Sequence, residues 1–220
     1  MNELDRGLPQ EQWTVESSDF ARVISLSDAM FAFALTLLAV NITLPALDPA
    51  RVADDLPNAL WNLRDEFFIY ALAFFIVYAK WNAHRRLVRV LVRYDNFLLT
   101  LNMLFLLLIA AMALPANIIG TYGSQPAAVI FFAGYQIAAT LFEVFLWHYA
   151  TYKHRLVAPD LPGAWIRLNS VFLWLVIGVF ALSMPVSLIS TDAAEYMWLL
   201  LIVLPFLSRW FIARARKPSP

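Results

Sequence analysis

The sequence predicts an all-α polytopic membrane protein with six transmembrane helices, and three observations carry that prediction. Of the 220 residues, 61% are hydrophobic and only 15% charged, whereas a soluble domain is about half apolar and about a quarter charged. Mean hydropathy is +0.66. The apolar residues are gathered into six runs, each close to the ~20 residues with which a helix crosses a hydrocarbon core of ~30 Å.

The runs cover residues 22–44, 62–83, 95–116, 126–150, 165–189 and 194–213. Pro45 and Pro49 close the first, and Asp160, Pro162 and Gly163 break the chain before the fifth, since proline cannot continue a helix and glycine disfavours one. Only "STDAAE" separates the fifth run from the sixth, which predicts a tight hairpin. The organisation is therefore a cytoplasmic N-terminal segment (1–21), a six-helix membrane domain (22–213) and a basic cytoplasmic tail (214–220). The first twenty residues are polar and acidic, without the basic start and short apolar stretch of a signal peptide, so the segment is expected to be retained.

Charge orients the bundle. Lys80, Arg85, Arg86, Arg89 and Arg93 follow the second run, Lys153, Arg155 and Arg167 lie between the fourth and fifth, and Arg209, Arg214, Arg216 and Lys217 end the chain. The opposite connections carry Asp48, Asp54, Asp55, Asp192 and Glu195. The positive-inside rule then places both termini in the cytoplasm. Trp61, Trp81, Trp147, Trp165, Trp198 and Trp210 fall near run ends, where an aromatic belt would put them. Formal net charge is zero, so no basic field suggests nucleic acid. With no cysteine in the chain, disulfides, iron–sulfur clusters and thiolate zinc sites are excluded.

The first run holds the informative polar residues. Phe33, Leu37 and Val40 share a helical face with Thr36 beside them, a pattern that core packing or lipid contact also produces. An ionisable residue inside a span costs a few kcal/mol and normally faces protein or water, so Asp28 requires partners. Arg22, Ser25 and Ser27 are the local candidates, and His84 and Asn102 are candidates from the neighbouring helices.

Arg22-x-x-x-Leu26-Ser27-Asp28, continuing "AMFAFALTLLAV" towards a proline, resembles the signature of the transmembrane protein 175 family of lysosomal and endosomal potassium channels and its prokaryotic relatives. Trp81, His84-Arg85-Arg86, Asp95, Leu101-Asn102 and Pro115 extend the resemblance over about the first half of the chain. Beyond that, only the number of spans matches. The resemblance implies a homotetramer in an inner (plasma) membrane, in which the first helix of each subunit lines a central pore. It also implies conduction of monovalent cations with a preference for potassium, with no cofactor besides the permeating ions.

By position, Phe33 falls on the family's hydrophobic constriction, Leu37 and Val40 on further apolar pore positions, and Thr36 on a hydroxyl linked to cation preference. Arg22, Ser27, Asp28, His84 and Asn102 would form a structural network. Leu26 departs from the signature phenylalanine, and Phe33 is bulkier than the usual isoleucine or leucine. A continuous helix uses its carbonyls internally, so such a pore gates by side chains, and an apolar ring blocks ions by dewetting.

Other readings compete with this one. Glu143, inside the fourth run, is either a proton relay or a paired structural carboxylate. With Asp28 it is the candidate site of an alternative function, a proton-coupled secondary transporter, and a non-conducting scaffold is a third class. "GTYG" at residues 120–123 has the wrong order for a potassium filter and predicts an external turn. The three histidines lack metal-ligand spacing, and no G-x-S-x-G elbow is present, so neither a metal site nor an enzyme is expected.

Overall fold

A computed structural model describes residues 13–15, 17–40, 42 and 46–201. In chain order these form β1 (Trp13–Thr14), α1 (Ser18–Val40), α2 (Val52–Val88), β2 (Arg93–Tyr94), α3 (Asn96–Ala110), α4 (Ala113–Tyr122), α5 (Pro126–Thr151), α6 (Gly163–Ser187) and α7 (Thr191–Trp198). Among the described residues, four helical stretches are long and apolar enough to cross a membrane: Ser18–Val40, Asn96–Tyr122, Pro126–His154 and Gly163–Ser187.

The second predicted span, 62–83, lies within α2 but is not among those four, because Arg64, Glu66 and Lys80 interrupt its apolar character. At 37 residues, α2 is ~55 Å long. Asp54 and Asp55 in its first turn and Arg85 and Arg86 in its last complement the helix dipole, so it extends beyond the apolar run at both ends. The third span continues past its predicted end as α4, with a break between. Pro115 has no N–H to offer the Ala111 carbonyl, which instead accepts from the Leu114 N–H three residues on, at 3.1 Å.

Residues 120–122 of "GTYG" are the last of α4 rather than an external turn. The hairpin between α6 and α7 is tight, as expected, and the Ser190 side chain caps α7 by accepting the Ala193 N–H. The sixth predicted span lies outside the described residues beyond Leu201, as do Arg209, Trp210, Arg214, Arg216 and Lys217.

Two apolar clusters hold the helices. In the first, Phe31, Ala34 and Leu38 of α1 join Ala73 and Val77 of α2 and Phe105, Leu106 and Ile109 of α3. In the second, Phe132 of α5, Phe180 of α6 and Trp198 of α7 pack ring on ring, and the Trp198 indole donates to Ser183 Oγ at 2.9 Å. Trp147 is likewise buried, against Trp165. Trp147 and Trp198 are therefore core residues and not members of an interfacial belt, because each indole finds its polar partner inside the bundle.

At one end of the bundle, short backbone ties gather the connections. β1 pairs antiparallel with β2, Phe20 stacks on Tyr94 at 4.9 Å, and Leu91 bridges to Val157. Asp95 caps α3 through the Leu98 N–H, accepts from the Tyr149 hydroxyl at 2.7 Å, and pairs with Arg155 at 3.5 Å. Lys153 and His154 take φ of 49° and 54°, the left-handed region in which helices commonly terminate, so the chain leaves α5 sharply to reach these contacts.

Candidate functional site

Helix α1 has two faces of opposite character. Ser27, Phe31, Ala34 and Leu38 are buried against α2 and α3. The other face carries Phe33, 58% exposed, Val40, 70% exposed, and the exposed Thr36, with Leu37 half-buried at its edge. At 100° per residue, Arg22, Leu26, Ala29, Phe33 and Val40 all fall within about 40° of one line along the helix. No Gly or Pro interrupts α1, so this face runs straight from one end to the other. The Thr36 hydroxyl donates to the Phe33 carbonyl at 2.8 Å, which uses its proton and leaves the oxygen lone pairs outward-facing and able to accept.

The buried face is tied by a polar chain. Ser27 Oγ donates to the Val23 carbonyl at 2.9 Å and accepts from Asn102 Nδ2 at 3.0 Å, while Asn102 Oδ1 lies 2.9 Å from His84 Nε2. His84 sits between the Phe31 and Phe105 rings. Three of the predicted network residues thus meet inside the α1–α2–α3 junction. Each polar group there has a partner, as burial requires.

Asp28 and Arg22 are placed differently. Asp28 lies one residue, or 100°, around from Ser27 and is exposed; its Oδ1 accepts from the Trp81 indole at 2.8 Å. The Arg85 guanidinium stacks over that indole, 4.4 Å from the ring centroid. Arg22 is exposed on the Phe33 face, and among the described ion pairs none joins it to Asp28. Asp28 is therefore not a buried partner of Arg22 or His84. The indole was missed as its partner because tryptophan near a span end reads first as an interfacial anchor.

A second polar cluster joins α2 to α5. Lys80 Nζ donates to Thr140 Oγ1 at 2.8 Å and lies 3.5 Å from Glu143 Oε2, with both charged side chains buried. Lys80 is thus an interior residue and not part of the cytoplasmic charge excess. Glu143, which had no partner visible in sequence, is paired. Helical spacing puts Lys80 on one face with His84 and Thr140 on one face with Glu143, but nothing in the sequence joined the two faces. Among the described residues no group of three or more His, Cys, Asp or Glu could hold a metal.

Residues 22–113 match the model of the endosomal/lysosomal potassium channel TMEM175 family. A potassium channel of Streptomyces collinus is 27% identical over 78% of this chain and 87% of its own length. The human endosomal/lysosomal proton channel TMEM175 is 25% identical over 64% of this chain, which covers 27% of that longer protein. The crystal structure of a lysosomal potassium-selective channel TMEM175 homolog from Chamaesiphon minutus superposes with a TM-score of 0.72, at 20% identity, over 91% of this chain and all of its own. These relatives are ion channels and not enzymes. The matched region includes the Ser27-Asp28 motif, so over residues 22–113 the chain is similar to the TMEM175 family.

Proposed function

We propose that this protein is a potassium-preferring monovalent cation channel, formed by a homotetramer in which the exposed face of α1 from each copy lines a central pore. The observation that carries the reading is the two-faced character of α1. One face is bound to its own subunit, while the other leaves Phe33 and Val40 uncovered on a continuous helix. The potassium-channel names of the S. collinus and C. minutus relatives support the permeant ion.

In this reading Phe33 is the hydrophobic gate, because four phenyl rings at one level strip hydration from an ion without compensation. Leu37 and Val40 extend the dry stretch. Thr36 supplies hydroxyl oxygens that favour potassium weakly over sodium. Ser27, Asn102 and His84 hold α1 at the angle that presents these side chains. The protein would sit in the plasma (inner) membrane with both termini cytoplasmic, an orientation that Arg85, Arg86, Arg89 and Arg93 support without Lys80.

Purified protein in liposomes tests the proposal: a potassium gradient should drive flux that does not saturate like a carrier and needs no proton gradient. Strictly proton-coupled, saturating uptake would instead assign the protein to the transporters.

A further inference from the structure

A cavity of about 270 Å³ lies between α2, α5 and α6, and none of its lining residues belongs to α1. Its walls are mostly apolar, with Ala79, Ala83, Phe172 and Val176 among them, but Lys80, Arg86 and Glu143 also line it. Phe75 and Tyr78 at its edge are about half exposed, and Leu201 closes another side. Glu143 is 92% buried, given its 8% exposure. Its Oε2 is met by Lys80, yet among the described residues its Oε1 has no donor. A buried acceptor left unpartnered is costly, and a ligand that supplies the donor recovers that cost.

The chemistry of the walls narrows the ligand. An ammonium headgroup would approach the Lys80 ammonium and the Arg86 guanidinium, which is unfavourable. A carboxylate would bring further acceptors to an oxygen that lacks a donor. A hydroxyl can donate to Glu143 Oε1 without adding charge. The volume of about 270 Å³ holds about nine non-hydrogen atoms at the ~30 Å³ a water-sized group occupies. We infer that this cavity is a binding site for a neutral membrane-dissolved alcohol of medium chain length, with its hydroxyl on Glu143 and its alkyl chain against Ala79, Ala83, Phe172 and Val176. The site is separate from the α1 face and does not depend on what that face does.

Photolabelling of the intact protein in phosphatidylcholine nanodiscs tests this, using a diazirine-bearing hexanol and the matching diazirine-bearing hexane, with labelled residues mapped by mass spectrometry. The alcohol should label the Glu143, Phe172 and Val176 region, and excess 1-hexanol should suppress that labelling. The hydrocarbon should label the same residues about tenfold less, the ratio expected for one hydrogen bond to a charged acceptor. Val176→Trp fills the cavity and should abolish the label; Ala83→Leu serves the same purpose if the first variant does not assemble. Equal labelling by the two probes, or labelling spread over the outward faces of α2 and α6 and indifferent to the cavity-filling variants, would overturn the inference.

Discussion

Thr36 and Phe33 stand three residues apart on α1, yet the proposed pore asks opposite things of them. The phenyl ring excludes water, so Phe33→Asn should raise resting potassium flux into liposomes by widening and wetting the constriction at once; Phe33→Ala, which only widens it, should raise flux less. Leu37, half-buried at the edge of the face, should give a smaller effect as Leu37→Asn. Thr36→Ala removes an oxygen with little change in radius and should lower the potassium-over-sodium ratio. If Leu37→Asn opens the path while both Phe33 variants conduct like the parent, the constriction lies at Leu37. The anchor residues should separate by burial. Asn102→Ala removes the His84 Nε2 partner in a buried junction, while Ser27 keeps its bond to the Val23 carbonyl, at a cost of about 1–3 kcal/mol for the unsatisfied imidazole. Asp28→Ala leaves only an indole N–H beside solvent and should cost about 1 kcal/mol. Thermal melts in detergent check the order, and a larger loss for Asp28→Ala would contradict it.

At the scale of helices, the buried pair between α2 and α5 makes a sharper prediction. Lys80→Met alone leaves Glu143 charged and unpaired in the interior, which should cost about 3–5 kcal/mol, whereas Lys80→Met with Glu143→Leu should recover most of that stability. A double-mutant cycle read by thermal unfolding checks this; additive losses would mean the two side chains do not interact. The same pair marks where sequence reading stopped. Helices α1, α3, α5 and α6 were legible because apolar composition alone requires them. Ser27, His84 and Asn102 are candidate partners of Asp28 in the sequence, yet they bond one another while Asp28 takes the Trp81 indole. Lys80 and Glu143 are 63 residues apart in the chain, and no local pattern joins them; only packing does. The break at Ala111–Met112 was legible in principle, from a proline four residues past a carbonyl. It was hidden by an apolar run that continued through it.

For the whole molecule, the uncovered face of α1 predicts association. One helix face cannot enclose a path, so the protein should purify as a closed cyclic homo-oligomer, and native mass spectrometry should record four copies. A stable monomer that still conducts would exclude the shared pore. The polar chain through Ser27 has a mechanical consequence for such an assembly. On α1, interhelical side-chain hydrogen bonds form only at Ser27 and Asp28 among the described residues, and beyond them Phe31, Ala34 and Leu38 make dry contacts. Directional bonds resist displacement, while apolar contacts permit sliding, so Ser27 acts as the fulcrum of a lever. Phe33 lies ~9 Å beyond it and Val40 ~20 Å. A tilt of about 10° about Ser27 would therefore carry Phe33 outward by roughly 1.5 Å and Val40 by roughly 3.5 Å on the same rise per residue. A ring of four such levers would dilate as a funnel, widest at the Val40 end, with Phe33 the last constriction to clear.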